Sequence, residues 1–393
     1  MVSQENTRET FKLHKNRTLI FVYVLAIIIG YITYLTQYFW GERIAEGSTI
    51  FFASIALLMS CFLVRQRSAG VLFNLFLFYT LFIFGLTLTY VAFGGGYGRF
   101  FFIYQYIYIL SFFYIYNIKI RSSHLYNAIN VEFLLKVIVV IGAVSSAFAI
   151  MQALSTHVWP PIDINRARGL SRSTLNYSGL CLIAFQATLI SKFNKILKTV
   201  FLIIIFLGAL SAFGRGVMLG CLASFIVSYI LLRESRFPMN ILICMVIFLI
   251  ARQIVSHNAD TVLKYTERYS SSFNTQTDAG NIQRIGSMKN FLGEISLFGG
   301  GFGSTGPAAG RFNKVTGFES SILNFLYQGG LLTVLFLPFL FLVFVFDLVR
   351  KKRLNLLLII IPQLIVLAVQ QVHENPSVNS LFWIFLSLVS LRR

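Results

Sequence analysis

Apolar positions in this chain gather into long unbroken runs, not into alternating or heptad stripes. Twelve runs are long enough to cross a bilayer once tilt and short spans are allowed for. They lie at about 19–39, 48–64, 71–93, 100–118, 133–154, 173–190, 198–213, 216–232, 239–255, 319–346, 354–372 and 377–391. Arg8, Lys12, Lys15 and Arg17 precede the first run and mimic a signal peptide. The run is too long for that and no small-residue cleavage site follows, so it is read as the first span. Only Gly214 and Arg215 separate the seventh and eighth runs, which predicts either a tight hairpin or one broken element. The expected architecture is an all-α polytopic membrane protein with about 12 transmembrane helices. Nine fall in residues 1–255, a large loop occupies 256–318, and three fall in 319–393.

That loop has a pattern of its own. Ala259, Val262, Leu263, Thr266 and Tyr269 recur at helical spacing, as do Ile282, Ile285, Met288, Phe291 or Leu292, and Ile295. Both stretches predict helices lying on the membrane surface or across the bundle mouth. A glycine-rich run, "GGGFGSTGPAAGR", follows at residues 299–311.

Composition agrees with the pattern. Charged residues make up 12% of the 393, against about 25% in a soluble domain, and the mean hydropathy is +0.75. With a cytoplasmic N-terminus, 20 of the 33 basic and 5 of the 14 acidic residues fall on inner segments. The inner side then carries +15 and the outer side +4 of the total +19, as the positive-inside rule demands. The basic pI is therefore topological and calls for no nucleic acid. Cys61, Cys181, Cys221 and Cys244 all lie inside apolar runs and share no ligand spacing, so neither a disulfide nor a metal site is expected.

The outer face favours arginine over lysine by ten to three: Arg43, Arg99, Arg166, Arg168, Arg172, Arg215, Arg252, Arg268, Arg284 and Arg311 against Lys264, Lys289 and Lys314. Arginine grips phosphate oxygens in pairs where lysine offers a point charge. Such residues either anchor spans at the headgroups or hold an anion in a defined pose. The tight group Arg166, Arg168 and Arg172 favours the anion, and so does Arg215, a charge between two apolar runs. Gly301, Gly303 and Gly306 match G-x-G-x-x-G, but no strand precedes them and no nucleotide is expected outside. The run is left as a connector, a hinge or lid, or a loop whose N–H groups line an anion.

Past it, Ser320, Asn324, Tyr327 and Gln328 share one face of the tenth run, which should look into the bundle or a wet cavity. Glu319 stands at its outer end. Thr316 and Glu319 match a capping box, and an immobilised carboxylate there could also serve as a general base. His373, beside Glu374 and Asn375, is a rim residue between the last two spans.

Taken in order, three stretches resemble the O-antigen polymerase and ligase superfamily of bacterial lipid-linked glycan transferases. "RARGLSRSTLNYSGL" resembles the family's Arg-Gly-(spacer)-Asn segment, through Arg168, Gly169 and Asn176. "SAFGRGVMLG" resembles its helix break, with Arg215 at the arginine and Gly214 where serine is usual. "RIGSMKNFLGEISLFGGGFGS" with "ESSILNFLYQGGLL" resembles its outer loop and polar helix start. Family ligases usually carry His-Asn where this chain has Phe318-Glu319, so the likeness is to the polymerase branch.

The resemblance implies a GT-C-like, inverting, metal-independent glycosyltransferase in the bacterial inner membrane, with both termini cytoplasmic and the site periplasmic. Donor and acceptor would be undecaprenyl-diphosphate-linked oligosaccharides, with no cofactor and no metal, among membrane lipids and with a possible chain-length regulator as partner. Glu319 would be the base. Arg166, Arg168, Arg172, Arg215, Arg284 and Arg311 would hold diphosphate. Asn176, Ser320, Asn324, Tyr327 and His373 would line the substrate path. No D-x-D occurs, which disfavours a metal-bound nucleotide sugar. Two rivals stay open: a ligase transferring to lipid A core, and a lipid-linked oligosaccharide flippase. The flippase predicts charges deep in the spans and an internal repeat, neither of which the sequence displays.

Overall fold

The computed structural model describes residues 2–33, 42–63, 70–93, 97–117, 130–154, 167–171, 173–212, 215–232, 286, 289, 293, 296–304, 320–369 and 376–391. Eleven α-helices among them can be followed end to end. They are α1 (Val2–Tyr31), α2 (Glu42–Leu63), α3 (Val71–Ala92), α4 (Ile103–Tyr116), α5 (Val131–Leu154), α6 (Thr174–Ile190), α7 (Lys195–Ser211), α8 (Arg215–Leu232), α9 (Ser321–Arg350), α10 (Leu357–Val369) and α11 (Pro376–Leu391). Short 3₁₀ turns at Tyr97–Phe102 and Leu354–Leu356 lead into α4 and α10, and no strand occurs among the described residues.

Eleven of the twelve predicted runs coincide with these helices. The run at about 239–255 and the predicted surface helix around 259–269 lie outside the described residues. Gly286, Lys289 and Gly293 are helical, as expected of the second surface helix. By length and composition, four helices among the described residues can cross a membrane: Ile44–Phe62, Val71–Ala92, Val131–Ala153 and Ser321–Arg350. Five shorter apolar helices accompany them, at Arg17–Tyr31, Thr174–Ile190, Gly216–Leu231, Leu354–Ala368 and Pro376–Leu391.

Large apolar side chains face outward while several polar ones are buried beside an apolar core. Phe62, Phe78, Leu335, Leu342 and Phe346 are exposed, whereas Gln105, Gln152, Gln186, Asn324, Gln363 and Asn379 are buried. Apolar side chains on the outside and polar ones within suit lipid as the solvent. The described residues are those of an all-helical, membrane-embedded protein.

Helix α11 is the axis of the bundle. All of it but Trp383 is buried, and α1, α2, α4, α5 and α6 pack around it. Its serines Ser377, Ser380, Ser387 and Ser390 are small enough to let neighbouring backbones approach, which is what drives helix association where lipid removes the hydrophobic difference. Gly30 of α1 packs beside the Ser377 carbonyl and Leu381. On the bulky side, Trp383 meets Phe112 of α4 with ring centroids 5.4 Å apart.

A second contact region joins α6, α8 and α10. Pro362 has no N–H, so the Leu358 carbonyl loses its helical donor. Gln186 supplies one: its Nε2 lies 3.3 Å from the Leu358 carbonyl, 3.1 Å from that of Ile359 and 3.3 Å from Ser224 Oγ. Gln363 donates to Gln186 Oε1 at 3.3 Å. Gln186→Leu strands these groups and is expected to cost about 1–3 kcal/mol. Thermal unfolding in detergent measures it, and an unchanged midpoint would show the carbonyl to be satisfied in another way.

At its far end α9 closes in a Schellman turn. Arg353 N–H donates to the Leu348 carbonyl (2.9 Å) and Lys352 N–H to that of Val349 (3.1 Å), with Lys352 at φ 55°. Lys351 pairs with Asp347 at 2.6 Å and lies 4.4 Å over the Tyr116 ring. Arg353 donates to the Tyr116 carbonyl at 3.0 Å, which ties this end to α4. Glycine adopts the left-handed region without penalty. Lys352→Gly is therefore expected to stabilise the protein by about 0.5–1 kcal/mol, read as a higher unfolding midpoint.

Candidate functional site

Residues 167–171 form a turn pinned to the end of α5. Gln152 Oε1 accepts the N–H groups of Arg168 and Gly169, each at 3.0 Å, and its Nε2 donates to the Gly169 carbonyl at 3.1 Å. The Ser145 hydroxyl accepts from Leu170 N–H at 3.0 Å. Gly169 sits at φ +53°, where a side chain would strike the Ser145 carbonyl at 2.6 Å. Ala167 N–H donates to the carbonyl of Ser211, the last residue of α7, at 3.3 Å. That bond joins the Arg-Gly stretch to the start of the 211–220 stretch.

The turn delivers polar groups to the head of α6. Ser173 caps that helix by accepting from Asn176 N–H at 3.2 Å. Arg168 and Asn176 are buried, at 7% and 2% exposure. The Ser171 hydroxyl is buried and makes no hydrogen bond to a described residue, which leaves it available to a ligand. A helix N-terminus that follows directly on an arginine-bearing turn is suited to an anion.

Ser211 ends α7, Ala212 caps it, and α8 starts at Arg215. The two helices have different main neighbours: α7 lies on α5 and α6, while α8 lies on α10. Residues 213 and 214, which join them, lie outside the described residues. Gly220 of α8 gives close passage to α10 and α6; a methyl group there would stand 2.8 Å from Val366 Cγ2 and 2.9 Å from Leu182 Cδ2. Arg215 is thus a cation at the positive end of its own helix, a placement that costs about 0.3–1 kcal/mol unless an anion offsets it.

The start of α9 departs from expectation. Its cap is Ser320, whose Oγ accepts from Leu323 N–H at 3.4 Å and donates to the Leu367 carbonyl of α10 at 3.2 Å. The helix begins after Glu319, so the Thr316–Glu319 capping box does not apply. Ser320, Ser321, Asn324 and Gln328 are buried and Tyr327 half-buried, so the predicted polar face does turn into the bundle.

Nor is α9 one rod. Gly330 breaks it at φ 65°, ψ −157°. The first segment, 321–329, spans about 13 Å. It begins on α10 at Leu367 and reaches α4 where Tyr106 donates to Gln328 Oε1 at 2.8 Å, so it crosses the bundle. The second segment, 331–350, is about 30 Å long, a full hydrocarbon thickness.

Part of the glycine run fills this break. Gly300 and Gly301 donate to the carbonyls of Tyr327 (3.1 Å) and Gln328 (2.8 Å), which end the first segment. Leu331 and Leu332, which start the second, donate to the carbonyls of Ser296 (3.0 Å) and Leu297 (3.5 Å). A side chain at Gly299 would meet the Gln328 carbonyl at 2.6 Å, and one at Gly330 the Leu297 carbonyl at 2.7 Å. On the other flank, Phe302 N–H donates to Thr87 Oγ1 (2.8 Å), Tyr90 hydroxyl to the Gly299 carbonyl (3.1 Å) and Arg99 to the Gly300 carbonyl (3.1 Å). The N–H groups of Gly300, Gly301 and Phe302 are committed to protein acceptors, which removes them from the expected anion-lining role. Arg99, counted among the outer arginines, spends its guanidinium partly on backbone and partly over the Tyr90 ring, at 5.2 Å.

Of the predicted site residues, Arg168 lies in the turn before α6 and Asn176 in the first turn of that helix, both buried. Ser320, Asn324 and Tyr327 come together on the first segment of α9. Glu319, Arg166, Arg172, Arg284, Arg311 and His373 lie outside the described residues, as does the side chain of Arg215. Helix α10 links the groups, since Val366 meets α8 at Gly220 and Leu367 meets Ser320. No group of three or more metal-ligating side chains occurs among the described residues. Gln152, Ser145 and Thr87 escape sequence reasoning, because each lies inside an apolar run and its partner is far along the chain. Gln152 alone left a signal, as an amide near the end of a predicted span.

No family model, curated protein or solved structure matches the chain.

Proposed function

We propose that this protein polymerises a lipid-linked surface glycan, acting as an O-antigen polymerase or its counterpart for a related polysaccharide. The reading includes a twelve-span, GT-C-like bundle in the bacterial inner membrane with its site on the periplasmic face. One observation carries it. The three separated stretches that resemble the family are joined in space: Ala167 bonds Ser211, α8 packs on α10 at Val366, and the next residue, Leu367, bonds the cap of α9. Arg168, Arg215 and Ser320 thus belong to connected elements although 152 positions separate the first from the last.

The chemistry follows from charge. A sugar hydroxyl on a fresh lipid-linked repeat unit attacks the anomeric carbon of the growing chain. The bond from that carbon to the diphosphate oxygen breaks with inversion. The hydroxyl proton passes to the Glu319 carboxylate, and undecaprenyl diphosphate leaves as an anion without needing a general acid. Arg168 and Arg215, with Arg166, Arg172, Arg284 and Arg311, stabilise the leaving charge. Asn176, Ser320, Asn324, Tyr327 and His373 line the path of the glycan.

The deciding experiment uses purified full-length protein with synthetic undecaprenyl-diphosphate-linked repeat unit, a chelator and no nucleotide sugar. A ladder of polymers is expected. Transfer only to added lipid A core would instead identify a ligase, and movement of the unit across the bilayer without bond formation a flippase.

A further inference from the structure

We propose that residues 296–304 are a fixed clasp, not a lid, and that Thr87, Tyr90 and Arg99 are positioning residues which hold the first segment of α9 in place through it. A break inside a membrane helix leaves carbonyls on one side and N–H groups on the other without partners, and lipid offers none. Here both sides are filled by the same short stretch. Gly300 and Gly301 serve the carbonyls of the first segment, and Ser296 and Leu297 serve the N–H groups of the second. Opening the clasp would strip four backbone bonds at once.

Its outer flank is fastened as firmly. Phe302 is fully buried, with its ring 4.7 Å from Tyr106 and 6.5 Å from Phe84. Thr87, Tyr90 and Arg99 each engage a different backbone group of residues 299–302. Gly303 lies against Phe102, where a side chain would meet the ring at 2.5 Å. Tyr106 touches both parts, since its hydroxyl holds Gln328 while its ring packs on Phe302. The clasp therefore fixes where segment 321–329 ends, as Ser320 on Leu367 fixes where it begins. Glu319 directly precedes that cap, so the clasp bears on catalysis only through the function proposed above.

The test is amide hydrogen exchange on the full-length protein in lipid nanodiscs, followed peptide by peptide, alongside polymerisation kinetics. Wild type should show 297–302 and 321–329 protected alike. Thr87→Val removes the acceptor of the Phe302 N–H and should speed exchange in both stretches at least tenfold, while α10 and α11 stay protected. Thr87→Ser keeps the hydroxyl and should restore protection. With lipid-linked repeat unit, Thr87→Val should lower kcat at least tenfold and leave KM within twofold, with Thr87→Ser rescuing it. Rapid exchange of 297–302 in wild type would overturn the fixed clasp. Loosening of 297–302 without loosening of 321–329, or with kcat unchanged, would overturn the positioning role. A wild type that makes no polymer would defeat the functional reading, and the exchange contrast between the two Thr87 variants would still decide the clasp.

Discussion

Replacing Glu319 with alanine is expected to leave the protein in the membrane and reduce its product from a ladder to single repeat units. Loss of a positioned base costs about 10²–10⁴ in rate, enough to empty every rung above the first on a polysaccharide gel. The folded protein should tolerate the change. The cap of α9 is Ser320 and not Glu319, so the helix keeps its N-cap when the carboxylate is removed. Glu319→Gln keeps shape and polarity but cannot accept the proton, and should fail in the same way. Full-length ladders from either variant would remove Glu319 from the chemistry.

Arg215→Lys is expected to lower polymer formation by about 10²–10³, the cost of losing one oriented donor to a developing anion. Charge is conserved, so an anchor at the headgroups would survive the exchange. A bidentate grip on a diphosphate would not, because an ammonium cannot present two parallel N–H groups. Two features make this position informative. Arg215 opens α8, where the helix dipole disfavours a cation. Its neighbour element ends at Ser211, whose carbonyl holds the turn that carries Arg168. A wild-type ladder from Arg215→Lys would return the residue to a snorkelling role.

Helix positions were legible in the sequence because a bilayer imposes a length on apolar runs. The described helices follow those runs closely, from α2 to α11. The sidedness of residues 320–328 was legible too, since polar groups at helical spacing within an apolar run have nowhere to go but inward. The break at Gly330 was not. "YQGGLL" reads like many glycine pairs in membrane helices, and the φ of one glycine depends on which chain arrives to fill the gap. That chain comes from about thirty positions earlier, and the hydroxyl that fastens it, Thr87, is one of three threonines in its span, with nothing local to single it out. The Thr316–Glu319 pattern misled for a related reason. A capping box is a local fit, while Ser320 gains the Leu367 carbonyl besides its own N–H partner. Arg99 shows the limit of reading charge alone. Its placement among outer cations says nothing about the Gly300 carbonyl 201 positions away.

The buried character of α11 has a consequence for biogenesis. The ribosome makes this axis after α1, α2, α4, α5 and α6, all of which lean on it. Those earlier helices enter the bilayer with the faces that later pack on α11 still uncovered, and packing about the axis waits for its synthesis. A nascent chain halted before residue 376 should therefore be a target for membrane quality-control proteases, whereas one halted after residue 391 should resist them.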